Sequence, residues 1–216
     1  MTDTVLRSLN VDDLSAVAQV HIRAFNGRAL SELGDEAVRR YYDWQLNGPH
    51  QSHCFGIFGD DKLMGFCFGG AFSGATSGFI RKNKWYLISR VLTHPWLIFS
   101  SFFRERLIMG INILRRLGRT PPVNIVPDKI PARAHSFGIL AIAIDPEYQG
   151  MGLGRILMQE AERIARMHGY LRMNLSVDCS NHQAIKFYEK LGWKKVIPPN
   201  DSWHGTMIKD LYTSIE

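Results

Sequence analysis

Residues 137–168, FGILAIAIDPEYQGMGLGRILMQEAERIARMH, leave this chain little freedom in what it can fold into. The stretch opens with the apolar run Ile139-Leu140-Ala141-Ile142-Ala143-Ile144, closed by Asp145-Pro146. A short apolar run ending in a turn signal reads as a buried strand. Gln149-Gly150-Met151-Gly152-Leu153-Gly154-Arg155 follows. Beyond it, Ile156, Leu157, Ala161, Ile164 and Ala165 share one helical face, with Glu160, Glu162, Arg163 and Arg166 between them. Gly169 stands just past the end, where a C-cap glycine belongs.

Strand, glycine turn and helix together make an anion site. The N–H groups of a helix's first turn lack intrahelical partners, and the macrodipole adds partial positive charge there. Glycines let phosphate oxygens approach the main chain without meeting a Cβ. Arg155 adds a formal charge at the same end. Residues 149–155 are therefore expected to cradle a pyrophosphate.

The spacing is neither a nucleotide P-loop nor G-x-G-x-x-G, because the third glycine comes one residue early. It follows Gln/Arg-x-x-Gly-x-Gly/Ala, met by Gln149, Gly152 and Gly154. That resembles the acyl-CoA motif of the GCN5-related N-acetyltransferases (GNAT superfamily). A second block, Asn181-His182-Gln183-Ala184-Ile185-Lys186-Phe187-Tyr188-Glu189-Lys190-Leu191-Gly192-Trp193, resembles that family's Asn-x-x-Ala-x-x-Phe-Tyr-x-x-x-Gly-Phe, with Trp for the last Phe. The resemblance covers residues 137–196 closely and the first 70 residues loosely. It implies an α/β (α+β) fold: a mixed, mostly antiparallel sheet of six to seven strands, splayed between the fourth and fifth and flanked by helices.

Bulk properties agree with one domain over residues 1–216, carrying an insert at 71–135. The 216 residues suffice for a full core, and 45% hydrophobic with 21% charged residues is a soluble composition. The polar start is not a signal peptide, and no apolar run reaches the length of a membrane span. A cytoplasmic setting is therefore expected, with Cys54, Cys67 and Cys179 reduced and without metal-type spacing. A two-residue turn at Asp60-Asp61 would set Cys54 directly opposite Cys67.

The N-terminal part reads as a strand at 5–9, then a helix capped by Asn10 or Asp12 with Leu14, Val17, Val20, His21 and Phe25 on one face. A second helix at 35–46 has Ala37, Val38, Tyr41, Tyr42 and Leu46 inward, and a hairpin pairs 53–58 with 63–70. Residues 73–78 read as a flexible start to the insert, 85–92 and 96–117 as helices, and the proline-rich 121–131 as a returning loop. Within 81–119 stand nine Lys or Arg against one acid, interleaved with Trp85, Trp96, Phe99, Phe102 and Phe103. Three roles fit such a segment: peripheral contact with an anionic membrane, a lid over the acceptor site, or packing on the core or a second subunit. No nucleic-acid reader motif accompanies the charge. A strand at 171–177, a helix from Asn181 to Lys190, and strands at 193–196 and 206–211 complete the chain.

What the resemblance implies about chemistry is specific. Acetyl-CoA is the expected cofactor, its pantetheine along Ile142, Ala143 and Ile144 and its pyrophosphate on Gln149, Gly150, Met151, Gly152, Leu153, Gly154 and Arg155. The Ile142 N–H would polarise the thioester carbonyl. Asn181 and Ala184 would contact the cofactor, and Tyr188 would be the general acid. The family's strand glutamate is replaced by Gly138, leaving His135, Ser136, Glu147 and His182 as nearby candidates for a base. The acceptor is expected to be a primary amine of a small molecule, with an amino sugar as the leading class. That choice rests on the resemblance of the 30–46 helix and basic insert to relatives tied to cell-surface polysaccharide. A protein or peptide amine is the enzymatic alternative, and a non-catalytic acyl-CoA-binding module the alternative of another class. A monomer or homodimer fits either.

Overall fold

The structure, a computed structural model, describes residues 4–72, 74–93, 136–199 and 201–212. The expected helix at 96–117, the loop at 121–131, His135 and the arginines from Arg104 to Arg119 lie outside the described residues.

The strands are β1 (Thr4–Ser8), β2 (Gln51–Gly59), β3 (Lys62–Ala71), β4 (Ser136–Ile144), β5 (Arg172–Ser176), β6 (Lys194–Lys195) and β7 (Thr206–Asp210). They form one sheet in the order β1-β2-β3-β4-β5-β7-β6. β4 and β5 run parallel, and the other pairs antiparallel. The helices are α1 (Leu14–Ala24), α2 (Ala29–Glu32), α3 (Asp35–Asn47), α4 (Ala75–Lys82), α5 (Lys84–Thr93), α6 (Leu153–Met167) and α7 (His182–Lys190). The mixed, mostly antiparallel sheet read from the sequence is the one observed.

Helices cover both faces of the sheet. Leu157, Met158, Ala161 and Trp193 pack with Phe55, Ile57 and Cys67 on one face. Leu14, Val17, Val38 and Tyr42 pack with Cys54, Phe58, Phe66 and Phe68 on the other. Burial on both sides is why β2 and β3 are apolar almost throughout instead of alternating. At the edge, β1 is exposed along its whole length, so its alternation buries neither face.

The hairpin turn forms as read, with Asp60 and Asp61 at φ 47° and 59°, the left-handed pair of a two-residue turn. The expected opposition of Cys54 and Cys67 fails. Phe58 pairs with Leu63 but Ile57 with Gly65, so Met64 is an extra residue in β3. That bulge moves the register by one, and a one-residue shift turns a side chain to the opposite face. Phe55 is therefore opposite Cys67, and the two thiols lie in separate cores. Both are free and buried, and burial raises both thiol pKa values, that of Cys54 to about 12. One thiol, the exposed Cys179, should titrate with a disulfide reagent in the native protein, and all three after denaturation without reductant. Two titrating after denaturation would contradict the assignment.

One further reading is corrected. Of the expected flexible start, residues 74–78 are not a loose lead-in: Gly74 takes a left-handed conformation and starts α4 at Ala75. On α3, Leu46 packs against the core as read, and beside it Gln45 is fully buried, its amide donating to the Ala75 carbonyl (3.0 Å) and tying α4 to α3.

Candidate active site

The site begins where β4 and β5 part. They pair only from Ser136↔Arg172 to Ile139↔Leu175. Opposite β3, Gly69 pairs with Ile139 and Phe68 with Ala141, so Leu140 is an extra residue in β4. Such a bulge bends and twists its strand, and here it stands where the pairing with β5 ends. Beyond it, the Asp145 N–H donates to the Met64 carbonyl of β3 (2.9 Å). Backbone polar groups alternate sides along a strand. Hence Ala143 also faces β3, while the N–H and C=O of Ile142 and Ile144 face the gap that β5 has vacated. Ala143 drops out of the expected set: its backbone faces β3 and its side chain is buried on the α1/α3 face.

The glycine turn lies at the end of this edge. Gly150 and Gly152 both adopt φ +80°, and a Cβ added to either would meet nothing within 4 Å. Gly152 is the N-cap of α6 with no side-chain capping bond, so the first-turn N–H groups open onto that space. A Cβ at Gly154 would meet the Phe187 ring of α7 at 3.4 Å, an ordinary van der Waals contact. Leu153 is buried, leaving its backbone as its only accessible contribution, whereas Met151 and Arg155 are exposed. The Gln149 amide turns back onto the Ile144 carbonyl (3.3 Å).

A residue that sequence reasoning missed holds this turn in place. Asp145 is 2% exposed, caps the turn at Pro146–Tyr148 through the Glu147 N–H (3.2 Å), and accepts from Arg23 Nε of α1 (2.9 Å) and from Arg23 Nη2. Arg23→Ala leaves this carboxylate without its cation. The Arg23 side chain is 48% exposed, so the expected loss is about 1–2 kcal/mol, below that for breaking a fully buried pair. A urea melt reads it.

A cavity of about 740 Å³ opens from the splay. It brings together Ile142, Asn181, Ala184 and Tyr188 of the expected set, whereas residues 149–155 lie outside its lining. Asn181 caps α7, its Oδ1 accepting from the Ala184 N–H (3.0 Å). Tyr188 is 8% exposed, and burial, with Cys67 nearby, raises its phenol pKa above the ordinary value. Across the mouth, Arg28 of the α1–α2 loop pairs with Asp178 of the β5–α7 loop at 2.6 Å. Two bonds from Ser180, and then Arg28, hold the Asp178 carboxyl well below the usual range.

None of the candidate bases within the described residues reaches this cavity. Ser136 accepts from the Asn174 amide (2.6 Å), and Glu147 and His182 are exposed outside it. His21 does line it, paired through Nδ1 with the Tyr42 hydroxyl (2.8 Å). Sequence periodicity had read His21 simply as one member of an inward helical face. The described part of the insert also contributes: Thr76, Phe79, Ile80 and Leu87 line the cavity from α4 and α5. No helix among the described residues is long and apolar enough to cross a membrane.

A family model described as "Acetyltransferase (GNAT) family" matches residues 119–193, which span both the glycine turn and the Asn181–Tyr188 block. This part of the chain is similar to the GNAT family. The chain is 32% identical over 89 residues to N-alpha-acetyltransferase RimI of Mycobacterium tuberculosis, covering 41% of this chain and 47% of that protein. It thus spans less than half the length of that curated relative. The GNAT fold extends further than the sequence likeness. The ribosomal-protein-S18-alanine N-acetyltransferase of Escherichia coli superposes with a TM-score of 0.57 at 16% identity, over 99% of this chain and 97% of that one. The PaiA N-acetyltransferase of Thermoplasma acidophilum, solved in complex with coenzyme A, gives 0.55 at 15%, over 96% and 99%.

Proposed function

We propose that this protein is an N-acetyltransferase that moves an acetyl group from acetyl-CoA to a primary amine of a small molecule, by direct attack with both substrates bound. The observation that carries this reading is the vacated edge of β4 opening into a cavity with Tyr188 on its wall. Its residues fit the cofactor. Gly150 and Gly152 leave free space before the α6 N-terminus, which suits a diphosphate. The outward N–H and C=O of Ile142 and the outward N–H of Ile144 suit a pantetheine amide chain. Arg155 adds charge at the turn, and Asn181 and Ala184 line the cavity beside the cofactor's path.

When bound, acetyl-CoA supplies an activated acyl carbon. The residues of this chain do the rest. The Ile142 N–H donates to the thioester oxygen, where negative charge grows during attack. The N–C bond forms as the C–S bond breaks, one N–H proton leaves the amine, and Tyr188 Oη gives its proton to the departing sulfur. The amine's proton restores the phenol through water, so the balance is amide plus free thiol.

The likeness to an N-alpha-acetyltransferase favours a second reading, a protein or peptide amine as acceptor. A non-catalytic CoA-binding module would bind the cofactor and release no thiol. Calorimetry with coenzyme A and thiol release from acetyl-CoA against a panel of amines separate these readings. Absence of coenzyme A binding defeats the proposal, and binding without thiol release with any amine leaves the module.

A further inference from the structure

The acceptor end of the cavity has a chemistry of its own. Its walls are the side chains of Phe25, Leu30, Leu33, Tyr41, Phe79 and Leu87. Among the described lining residues the charged side chains are Arg28 and Asp178, and these pair with each other at the mouth. An acceptor with a second cation would find no unengaged carboxylate there. A sugar would bring several hydroxyls to a wall with few partners for them, and unpaired polar groups are costly to bury. Deeper in, His21 is 8% exposed, its Nδ1 paired with the Tyr42 hydroxyl and its Nε2 closed off from solvent.

We infer that the acceptor is a primary amine carried on an uncharged apolar body, aromatic or branched alkyl. The inference rests on the acetyltransferase reading and sharpens it. His21 is neutral at physiological pH, since burial pushes its pKa down to about 4, so it adds no charge to the walls. The same dry walls disfavour an ammonium and favour the free amine. Attack then needs no carboxylate, consistent with Gly138 standing where relatives carry glutamate.

The test uses the full chain with acetyl-CoA and four probes: phenethylamine, glucosamine, spermidine and an alanine-initiated peptide. Phenethylamine should give the highest kcat/KM, by about tenfold or more over each of the others. Leu87→Glu, which puts a carboxylate in the wall, should lower kcat/KM for phenethylamine at least tenfold and raise it for spermidine. Coenzyme A affinity serves as the folding readout, and a variant that loses it is replaced by Leu30→Ser. If glucosamine, spermidine or the peptide is the best acceptor while coenzyme A binds normally, the inference fails and the acetyltransferase reading stands. If coenzyme A does not bind, that reading fails and takes the inference with it.

Discussion

Tyr188→Phe should lower turnover by about a hundredfold or more while coenzyme A affinity stays within about twofold. The substitution removes one oxygen and keeps the ring, so its packing against Trp193 at 6.0 Å and Phe187 at 5.3 Å persists. What it removes is the proton given to sulfur. Burial raises the phenol pKa, so Tyr188 stays protonated through the range in which the enzyme would be assayed. The wild-type rate should therefore show no alkaline decline from Tyr188 up to about pH 9, while the acceptor amine governs the acid side. A thiolate leaving group of lower pKa needs less help, so an acyl donor with a more acidic thiol should partly rescue Tyr188→Phe. Turnover unchanged in the variant would remove Tyr188 from the reaction and leave it as a core aromatic.

Gly152→Val should weaken coenzyme A binding by about a hundredfold, through two causes that a control separates. At φ +80° a β-branched residue is strained by about 1–3 kcal/mol. The new side chain also occupies the space before the α6 N–H groups. Gly169 has φ +72° and likewise nothing within 4 Å of an added Cβ, but it follows the other end of α6. Gly169→Val should therefore lower stability similarly in a urea melt and leave coenzyme A affinity alone. Equal affinity losses in the two variants would mean that the turn acts through helix stability and not as a diphosphate cradle.

Much of this was legible in one dimension because it depends on neighbours in sequence. The buried strand, the glycine turn and the helix of residues 137–168 follow from apolar periodicity and glycine placement. So does the Asn181 cap, whose bond to Ala184 spans three residues. The elements of the first 70 residues were readable for the same reason. What escaped was set by contacts across the sheet. The Cys54–Cys67 pairing failed on a single extra residue, Met64, which turns alone do not announce. Gln45 is buried beside Leu46 because a carbonyl on α4 meets its amide. Asp145 looked like turn punctuation until Arg23, 122 residues away in sequence, was seen to hold it. His21 looked like core until the cavity beside it appeared.

The sequence by itself determined the local units: which segments are strands, which glycines open a helix N-terminus, and which block carries Asn181 and Tyr188. Those follow from backbone sterics and side-chain periodicity, which act over a few residues. Only the tertiary structure decided that β4 is bulged at Leu140 and leaves β5, that Ile142 rather than Ala143 faces the gap, and that His21 shares a chamber with Phe79 and Leu87. Register and chamber chemistry depend on which chain segments lie side by side, and that is fixed by burying both faces of one sheet at once.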